Sequence, residues 1–180
     1  MGRSAPAWLR HLLGDRVPEG FPGVLDPGEH VLGSADVAGG GRLLVTPFGL
    51  WIPEGGGAGA RRVGWHLIAK AAWADGVFTL TEAEESRTAG EAVLLVDRAP
   101  VRFTLEAPGK VPYLVRQRVD GSIRSRYRKE LSEGGAWFVW RKVPGRDGVV
   151  LQVRADLGTD VDLVAAIARE AAGKMANPDV

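Results

Sequence analysis

The chain has 180 residues, of which 45% are hydrophobic and 25% charged, proportions typical of a single globular domain. It contains no cysteine, which excludes a disulfide framework, a thiolate metal site and a cysteine nucleophile. Its net charge of +1 indicates no global preference for polyanions. No apolar run approaches the roughly 18 residues that span a bilayer, and the N-terminus lacks the apolar core of a signal peptide. We therefore expect a soluble, cytoplasmic protein without a transmembrane segment.

The first 28 residues predict a short helix and an irregular lead. Ser4 can cap a helix over residues 4–13, in which Trp8 and Leu12 contribute to one apolar face. Turn-forming residues dominate the stretch that follows. We predict that residues 29–174 form a single β-rich domain and that residues 175–180 are a tail.

Short apolar segments separated by turns predict strands over much of residues 29–106. The abundance of glycine and proline, with 25 and 11 residues, agrees with many turns. The polar stretch 81–90 is predicted as a loop. The predicted strands are 29–38, 42–46, 49–53, 61–65, 91–97 and 101–106, together with a hairpin before residue 81.

That hairpin is the best-defined piece of the chain. Asp75-Gly76 is a two-residue signal for a type I′ turn, because both central positions need positive φ. The turn would pair Trp73 with Phe78 and Ala71 with Leu80, and side chains in these pairs share one face. We therefore predict a half-buried hairpin with Trp73 in the core.

After residue 110 the pattern changes to helix, hairpin and helix. Apolar residues recur every four positions from Val115 to Leu131, which predicts a helix over residues 112–131. Gly121 weakens its middle, so two shorter helices are an alternative. Residues 136–143 and 149–156 predict a second hairpin, and residues 160–174 a terminal helix. The fold class is α+β, mostly β: an antiparallel barrel or strongly curved sheet with helices packed near 4–13, 112–131 and 160–174.

Two motifs in the first half resemble bacterial pleckstrin-homology-like domains. They are Leu44-Val45-Thr46-Pro47-Phe48-Gly49-Leu50-Trp51 and Arg61-Arg62-Val63-Gly64-Trp65-His66-Leu67-Ile68. The resemblance covers residues 29–106, and the chain is also similar to uncharacterised actinobacterial proteins, a family without an assigned activity. It implies a small PH-like barrel or half-barrel with a packed helix, of a kind used more often for binding than for chemistry.

The most distinctive chemical feature is a basic cluster. Residues 110–130 contain seven basic and two acidic residues, and further basic residues lie on the following hairpin. One interpretation is a surface for nucleic acid or anionic lipid headgroups. The alternative is a solvated helix face whose arginine stems cover apolar surface. The candidate residues are Arg116, Arg118, Arg124, Arg126, Arg128, Lys129, Arg141 and Lys142.

Two of these arginines conflict with a simple solvated face. On a continuous helix, Arg116 and Arg126 fall within the apolar arc, so they are either ion-paired or the helix breaks at Gly121. We favour ion pairing. Trp137 and Trp140 lie on opposite faces of the second hairpin. Either one of them is exposed beside basic residues, in a position suited to base stacking, or a helix and a loop cover both faces, which is the interpretation that we favour.

No motif for catalysis, metal binding or cofactor binding is present. The three histidines are scattered, and no Gly-rich phosphate loop or nucleophile elbow occurs. We expect no cofactor and no metal site. The predicted function is a non-catalytic binding or scaffolding module, with a protein partner first and a polyanion as the alternative. An enzyme without a recognisable motif is the third possibility, and the oligomeric state is open.

Overall fold

The computed structural model describes residues 16–176, with the side chains of residues 175 and 176 left aside. The helix predicted over residues 4–13 lies outside the described residues, as do the last four residues of the predicted tail. The other two residues of that tail belong to the C-terminal helix, which ends at Ala176.

Strands dominate the described part of the chain, and two α-helices pack against them, which confirms the predicted α+β, mostly β class. The helices are α1 (Val111–Ser122) and α2 (Val161–Ala176). Two short 3₁₀ turns lie at Gly55–Gly57 and Trp65–Leu67. The strands are β1 (Gly33–Asp36), β2 (Arg42–Val45), β3 (Gly49–Glu54), β4 (Gly59–Gly64), β5 (Ile68–Ala74), β6 (Val77–Ala89), β7 (Ala92–Asp97), β8 (Val101–Thr104), β9 (Ile123–Glu130), β10 (Gly135–Arg141) and β11 (Val150–Ala155).

The strands form two sheets, and the architecture combines a strongly curled half-barrel with a separate sheet. The four-stranded sheet is an antiparallel meander in the order β1-β2-β3-β4. The seven-stranded sheet has the order β5-β6-β7-β11-β10-β9, and β8 pairs with the first part of β6. Strands β7 and β11 pair in parallel, which joins the C-terminal hairpin to the rest of the sheet.

Two large apolar cores lie along the long strand β6. The first core includes Phe78 and Leu80 of β6 and packs the four-stranded sheet against β5, β8 and α1. The second core includes Ala89, at the far end of β6, and packs β7, β10 and β11 against α2. The prediction of a loop over residues 81–90 is therefore wrong. Although its middle is polar, β6 continues to Ala89 because it pairs with β7.

The Asp75-Gly76 hairpin forms with the predicted register. Both turn residues have positive φ, 50° and 76°, and Trp73 lies opposite Phe78. The prediction that Trp73 is a core residue is wrong, because 38% of its surface is exposed whereas Phe78 is 1% exposed. Strand β5 lies at the edge of the sheet, while Phe78 is flanked on its other side by Phe103 of β8.

The helix predicted over residues 112–131 exists only in its first half. Helix α1 ends at Ser122, whose hydroxyl donates to Val119 O at 2.6 Å, and strand β9 begins at Ile123. Neither a continuous helix nor two shorter helices is correct. Residues 123–130 pair instead with β10 along almost its whole length.

A buried carboxylate anchors the segment before β1 to the four-stranded sheet. Glu29 Oε1 accepts hydrogen bonds from Thr46 Oγ1 at 2.5 Å and from Trp51 Nε1 at 3.0 Å. Its Oε2 accepts from Arg62 Nη1 at 2.7 Å and from Asp26 N at 2.9 Å. Each of the four contacts joins a hydrogen-bond donor to a carboxylate oxygen, and each oxygen accepts two of them. This cluster therefore has a structural role.

Neither helix in residues 16–176 is long and apolar enough to cross a lipid bilayer.

Candidate functional site

The eight basic candidate residues do not form one surface. Three line an open groove, two line a smaller cavity, and three lie elsewhere. We call the first feature the basic groove and the second the inner cavity. The groove is lined by Pro47, Phe48, Trp65, Gln117, Arg118, Gly121, Ser122, Arg124, Lys142, Pro144 and Gly145. The cavity is lined by Ala69, Ile123, Arg126, Trp137, Val139, Arg141, Gln152 and Arg154.

The cations of the basic groove come from three different elements. Arg118 lies on α1, Arg124 lies on β9, and Lys142 directly follows β10. The Lys142 N–H donates to Ser122 O at 2.8 Å, which ties the end of β10 to the corner between α1 and β9. The groove has a volume of about 580 Å³, and none of the described residues that line it is acidic.

An irregularity in the β9–β10 ladder sets the position of Arg124. Trp140 pairs with Ser125, but the next residue, Arg141, pairs with Ile123, so Arg124 has no partner on β10. A residue skipped in this way projects away from the regular alternation of the strand. The same shift places both Ile123 and Arg126 at the inner cavity.

The three groove cations have no carboxylate partner within residues 16–176, whereas half of the described arginines have one. The ion-paired arginines are Arg42, Arg61, Arg62, Arg87, Arg98, Arg116, Arg128 and Arg154. The side chains of Arg118, Arg124 and Lys142 take part in none of these pairs. Their positive charge is therefore not neutralised by an ion pair with any acidic side chain that the structure describes.

Opposing strands build the inner cavity from one face of the sheet. Trp137 lies opposite Arg154 and Val139 lies opposite Gln152 in the β10–β11 pair. Val139 also lies opposite Arg126 on β9. These side chains share a face, and Phe138 on the other face is buried in the core beneath α2. The predicted division of this strand into two faces is confirmed, and Trp137 is the more exposed tryptophan, at 42%.

Arg141 is the buried arginine of this region. It is 4% exposed, and its Nη1 donates to the carbonyl oxygens of Trp65 and Ile68 at 3.1 and 3.2 Å. Burial, together with repulsion from Arg154, lowers the pKa of Arg141 to about 10, and Asp120 partly opposes this change. Arg141 thus places a positive charge inside the protein without a direct contact to any carboxylate of residues 16–176.

Gln152 and Arg154 contribute buried donors to the same cavity. Gln152 is 2% exposed, and its Nε2 has no hydrogen-bond partner within the described chain. Arg154 Nε lies 3.2 Å from Asp97 Oδ1, which is an ion-pair distance. Its N–H is not aligned for a hydrogen bond, and the buried Arg154 Nη2 also lacks an acceptor among the residues that the structure describes. Burial lowers the pKa of Arg154, and Asp97 acts in the opposite direction.

The two arginines singled out by the helical pattern are not buried. Arg116 is exposed on α1 and lies 3.7 Å from Asp120, four residues later. Arg126 is exposed on β9 and belongs to the inner cavity. An ion pair therefore exists for Arg116, but it is a surface pair and not the buried pair that we expected. For Arg126 the expected pairing is wrong, because Arg126 forms no ion pair within residues 16–176, and the residue lies on a strand and not on a helix.

Arg128 and Lys129 lie outside both features. Arg128 Nη2 is 2.6 Å from Asp156 Oδ2, and its Nε is 2.5 Å from Glu130 Oε1. The hydrogen bonds that the Arg128 guanidinium donates to Asp156 and Glu130 raise its pKa. Lys129 lies opposite Ala136 in the β9–β10 pair. The pKa of Glu170 on α2 is lowered mainly by Lys174, and the charge of Lys129 adds to this effect. Arg128 and Lys129 therefore interact with acidic side chains of the protein itself.

No group of three or more histidine, cysteine, aspartate or glutamate side chains comes together within residues 16–176 in a way that could hold a metal ion. His66 directly follows Trp65, which lines the basic groove. Burial, with repulsion from Arg141 and Arg146, lowers its pKa to about 4. The ring is therefore neutral near pH 7.

Sequence reasoning missed Gln152 and did not connect Arg154 with Arg126 and Arg141. The signal was available in the predicted second hairpin. Residues 152 and 154 alternate with the buried Leu151 and Val153, which places them together on the opposite face. What the hairpin pattern could not show is that β9 would complete this face.

Comparison with protein-family models, with curated proteins and with solved structures gives no match.

Proposed function

We propose that this protein is a non-catalytic binding module whose basic groove takes a small ligand with two or more phosphate groups. The observation that carries the proposal is the convergence of Arg118, Arg124 and Lys142 on one groove that no carboxylate lines. Guanidinium and ammonium groups are the usual protein partners of phosphate oxygens. Three such groups from three elements suit a ligand with more than one phosphate.

The size and walls of the groove agree with a small ligand. Its volume of about 580 Å³ lies within the roughly 300–1,000 Å³ of most small-molecule sites. Trp65 forms a rigid wall, because its Nε1 donates to the carbonyl oxygens of Thr46 and Pro47, both at 3.1 Å. Phe48 adds a second aromatic surface beside the cations.

A purely structural explanation covers only part of the basic cluster. Strand β9 is at the edge of the sheet, and charged side chains on an edge strand discourage pairing with other chains. This accounts for the charges on β9, including Arg124. It does not account for Arg118 on α1 or for Lys142 after β10, which point to the same groove from other elements.

The phosphate groups could belong to a soluble molecule or to a lipid headgroup, and the groove chemistry is the same for both. The resemblance to PH-like domains, the cytoplasmic location and the expected protein partner remain predictions. The exposed apolar side chains Leu157, Val161 and Leu163 lie near the start of α2, where a protein partner would be sought.

The proposal is tested by direct binding with a charge-reversed variant. Wild type, the double variant Arg124→Glu/Lys142→Glu and the control Arg102→Glu are titrated with inorganic tripolyphosphate. Separately, they are mixed with phosphatidylcholine vesicles with and without phosphatidylinositol bisphosphate. Arg102 is a matched control because it is exposed on β8, forms no ion pair with another residue of the described range 16–176 and lies outside the groove lining.

We expect the double variant to lose at least about 100-fold in affinity, because it removes two charged contacts that contribute about 1.5–3 kcal/mol each. Arg102→Glu should bind like wild type, and binding should weaken as salt concentration rises. Tripolyphosphate binding identifies a soluble source, and binding only to phosphoinositide vesicles identifies a lipid. Equal losses in both variants, or binding of an RNA oligonucleotide but of neither probe, would refute the proposal.

A further inference from the structure

The inner cavity differs from the basic groove in size and in the burial of its donors. Its volume is about 180 Å³. This is smaller than the roughly 300–1,000 Å³ of drug-sized sites. It is larger than the about 30 Å³ that one water molecule occupies. It lies between the exposed face of β9–β11 and the start of β5, where Ala69 closes one side.

The donors of this cavity are unusual for a protein interior. Buried polar atoms are nearly always hydrogen-bonded, because leaving one without a partner costs free energy. Here Gln152 Nε2 and Arg154 Nη2 are buried and have no hydrogen-bond acceptor among the described residues, whereas Arg154 Nε has Asp97 Oδ1 at 3.2 Å. Gln152 is 98% buried, so bulk water does not solvate its amide directly. Both nitrogens without a partner can only donate, so the missing partner is an acceptor.

The charges around the cavity also favour an anion. Arg126, Arg141 and Arg154 contribute three positive charges, and Asp97 beside Arg154 contributes one negative charge. Arg141 and Arg154 repel each other. A bound anion would relieve this repulsion and satisfy the donors at the same time.

We propose that the inner cavity is a second binding site, which takes one small oxyanion, a phosphate or a short carboxylate. Gln152 Nε2 and Arg154 Nη2 donate to its oxygens, Arg141 supplies buried positive charge, and Arg126 covers the mouth. Trp137 borders the cavity and is partly exposed, so it reports on occupancy. This site is separate from the basic groove and does not depend on the function proposed for it.

The test follows two resonances in ¹H–¹⁵N spectra of the labelled full chain. The side-chain amide of Gln152 is assigned by its loss in Gln152→Met, and the indole N–H of Trp137 is then followed in all variants. The probes are inorganic phosphate and, in a separate series, acetate and succinate, each added at constant ionic strength against sodium chloride. The variants are Gln152→Met, Arg126→Met, the control Gln117→Met and the groove variant Arg124→Glu/Lys142→Glu.

We expect a saturable shift of both resonances with at least one oxyanion and not with chloride. Gln152→Met should weaken binding about 10- to 100-fold, since it removes a hydrogen bond to a charged group but keeps the side-chain shape. Arg126→Met should also weaken it. Gln117→Met makes the same exchange in the groove lining and should leave affinity unchanged, as should the groove variant.

Three results would overturn the proposal. The first is the absence of a saturable shift up to tens of millimolar of every probe, which would mean that the cavity holds water. The second is equal affinity in Gln152→Met and Gln117→Met. The third is loss of the cavity shift in Arg124→Glu/Lys142→Glu, which would assign the effect to the basic groove.

Discussion

Replacing Glu29 by glutamine should destabilise this protein more than any other single loss of charge that we consider. The side chain of Glu29 is 0% exposed and receives four hydrogen bonds, two at each oxygen. A glutamine keeps one acceptor oxygen but turns an NH₂ group toward two of the former donors. Two hydrogen bonds are therefore lost, and Arg62 loses its buried counter-charge.

The size of this effect follows from those contacts. A hydrogen bond to a charged group contributes about 1.5–3 kcal/mol, and breaking a buried ion pair costs about 3–5 kcal/mol. We expect Glu29→Gln to lower the free energy of unfolding by about 3–5 kcal/mol, a large part of the 5–15 kcal/mol typical of natural domains. Asp36→Asn is the matched control, because it breaks an ion pair of 2.5 Å with Arg42 in which the Asp36 side chain is 76% exposed. That change should cost less than about 1 kcal/mol.

The assay is urea unfolding of wild type and both variants, followed by tryptophan fluorescence and by circular dichroism. The midpoint should fall in Glu29→Gln with an unchanged denaturant slope, which shows that the difference lies in stability. A loss below about 1 kcal/mol, or a loss equal to that of Asp36→Asn, would refute the reasoning.

Two further predictions concern pH and backbone crowding. The lowered pKa of His66, about 4, means that the unfolded chain takes up a proton below its ordinary pKa of 6.5 while the folded chain does not. Stability should therefore fall as pH drops from 6.5 to 4, by at most about 1.4 kcal/mol per pH unit and by less because the ring is partly exposed. If the free energy of unfolding changed with pH in the same way in wild type and in His66→Gln, the prediction would be wrong. Gly55→Ala and Gly57→Ala both place a side chain at positive φ, but only at Gly57 would the new Cβ lie 2.4 Å from the backbone nitrogen of Gly41. Gly55→Ala should cost roughly 1–2 kcal/mol and Gly57→Ala clearly more, and equal midpoints in thermal unfolding would show that the close approach does not matter.

The first hairpin and the terminal helix could be predicted because their signals are local. The Asp75-Gly76 turn determines both its own conformation and the pairing of the residues beside it. The helix over residues 160–174 has an apolar face that suits only a helical period.

The error over residues 123–131 has a definite physical origin. Residues four apart lie on nearly the same face of a helix, and they lie on the same face of a strand as well. The interval between Val119, Ile123 and Tyr127 therefore fits both structures. The stretch becomes a strand because β10 pairs with it. The Tyr127 ring also stacks on the ring of the buried Phe138, with 5.0 Å between the ring centroids.

The sequence by itself determined the mostly β class, the turns and the identity of the basic residues. Tertiary structure alone decided which of those residues meet. Strand β7 pairs in parallel with β11, and β9 pairs with β10. These pairings bring Arg126, Arg141 and Arg154 to the inner cavity. They leave Arg118, Arg124 and Lys142 at the basic groove. Strand pairing between distant segments depends on which edges remain open after the local elements form, so no short pattern could have revealed either site.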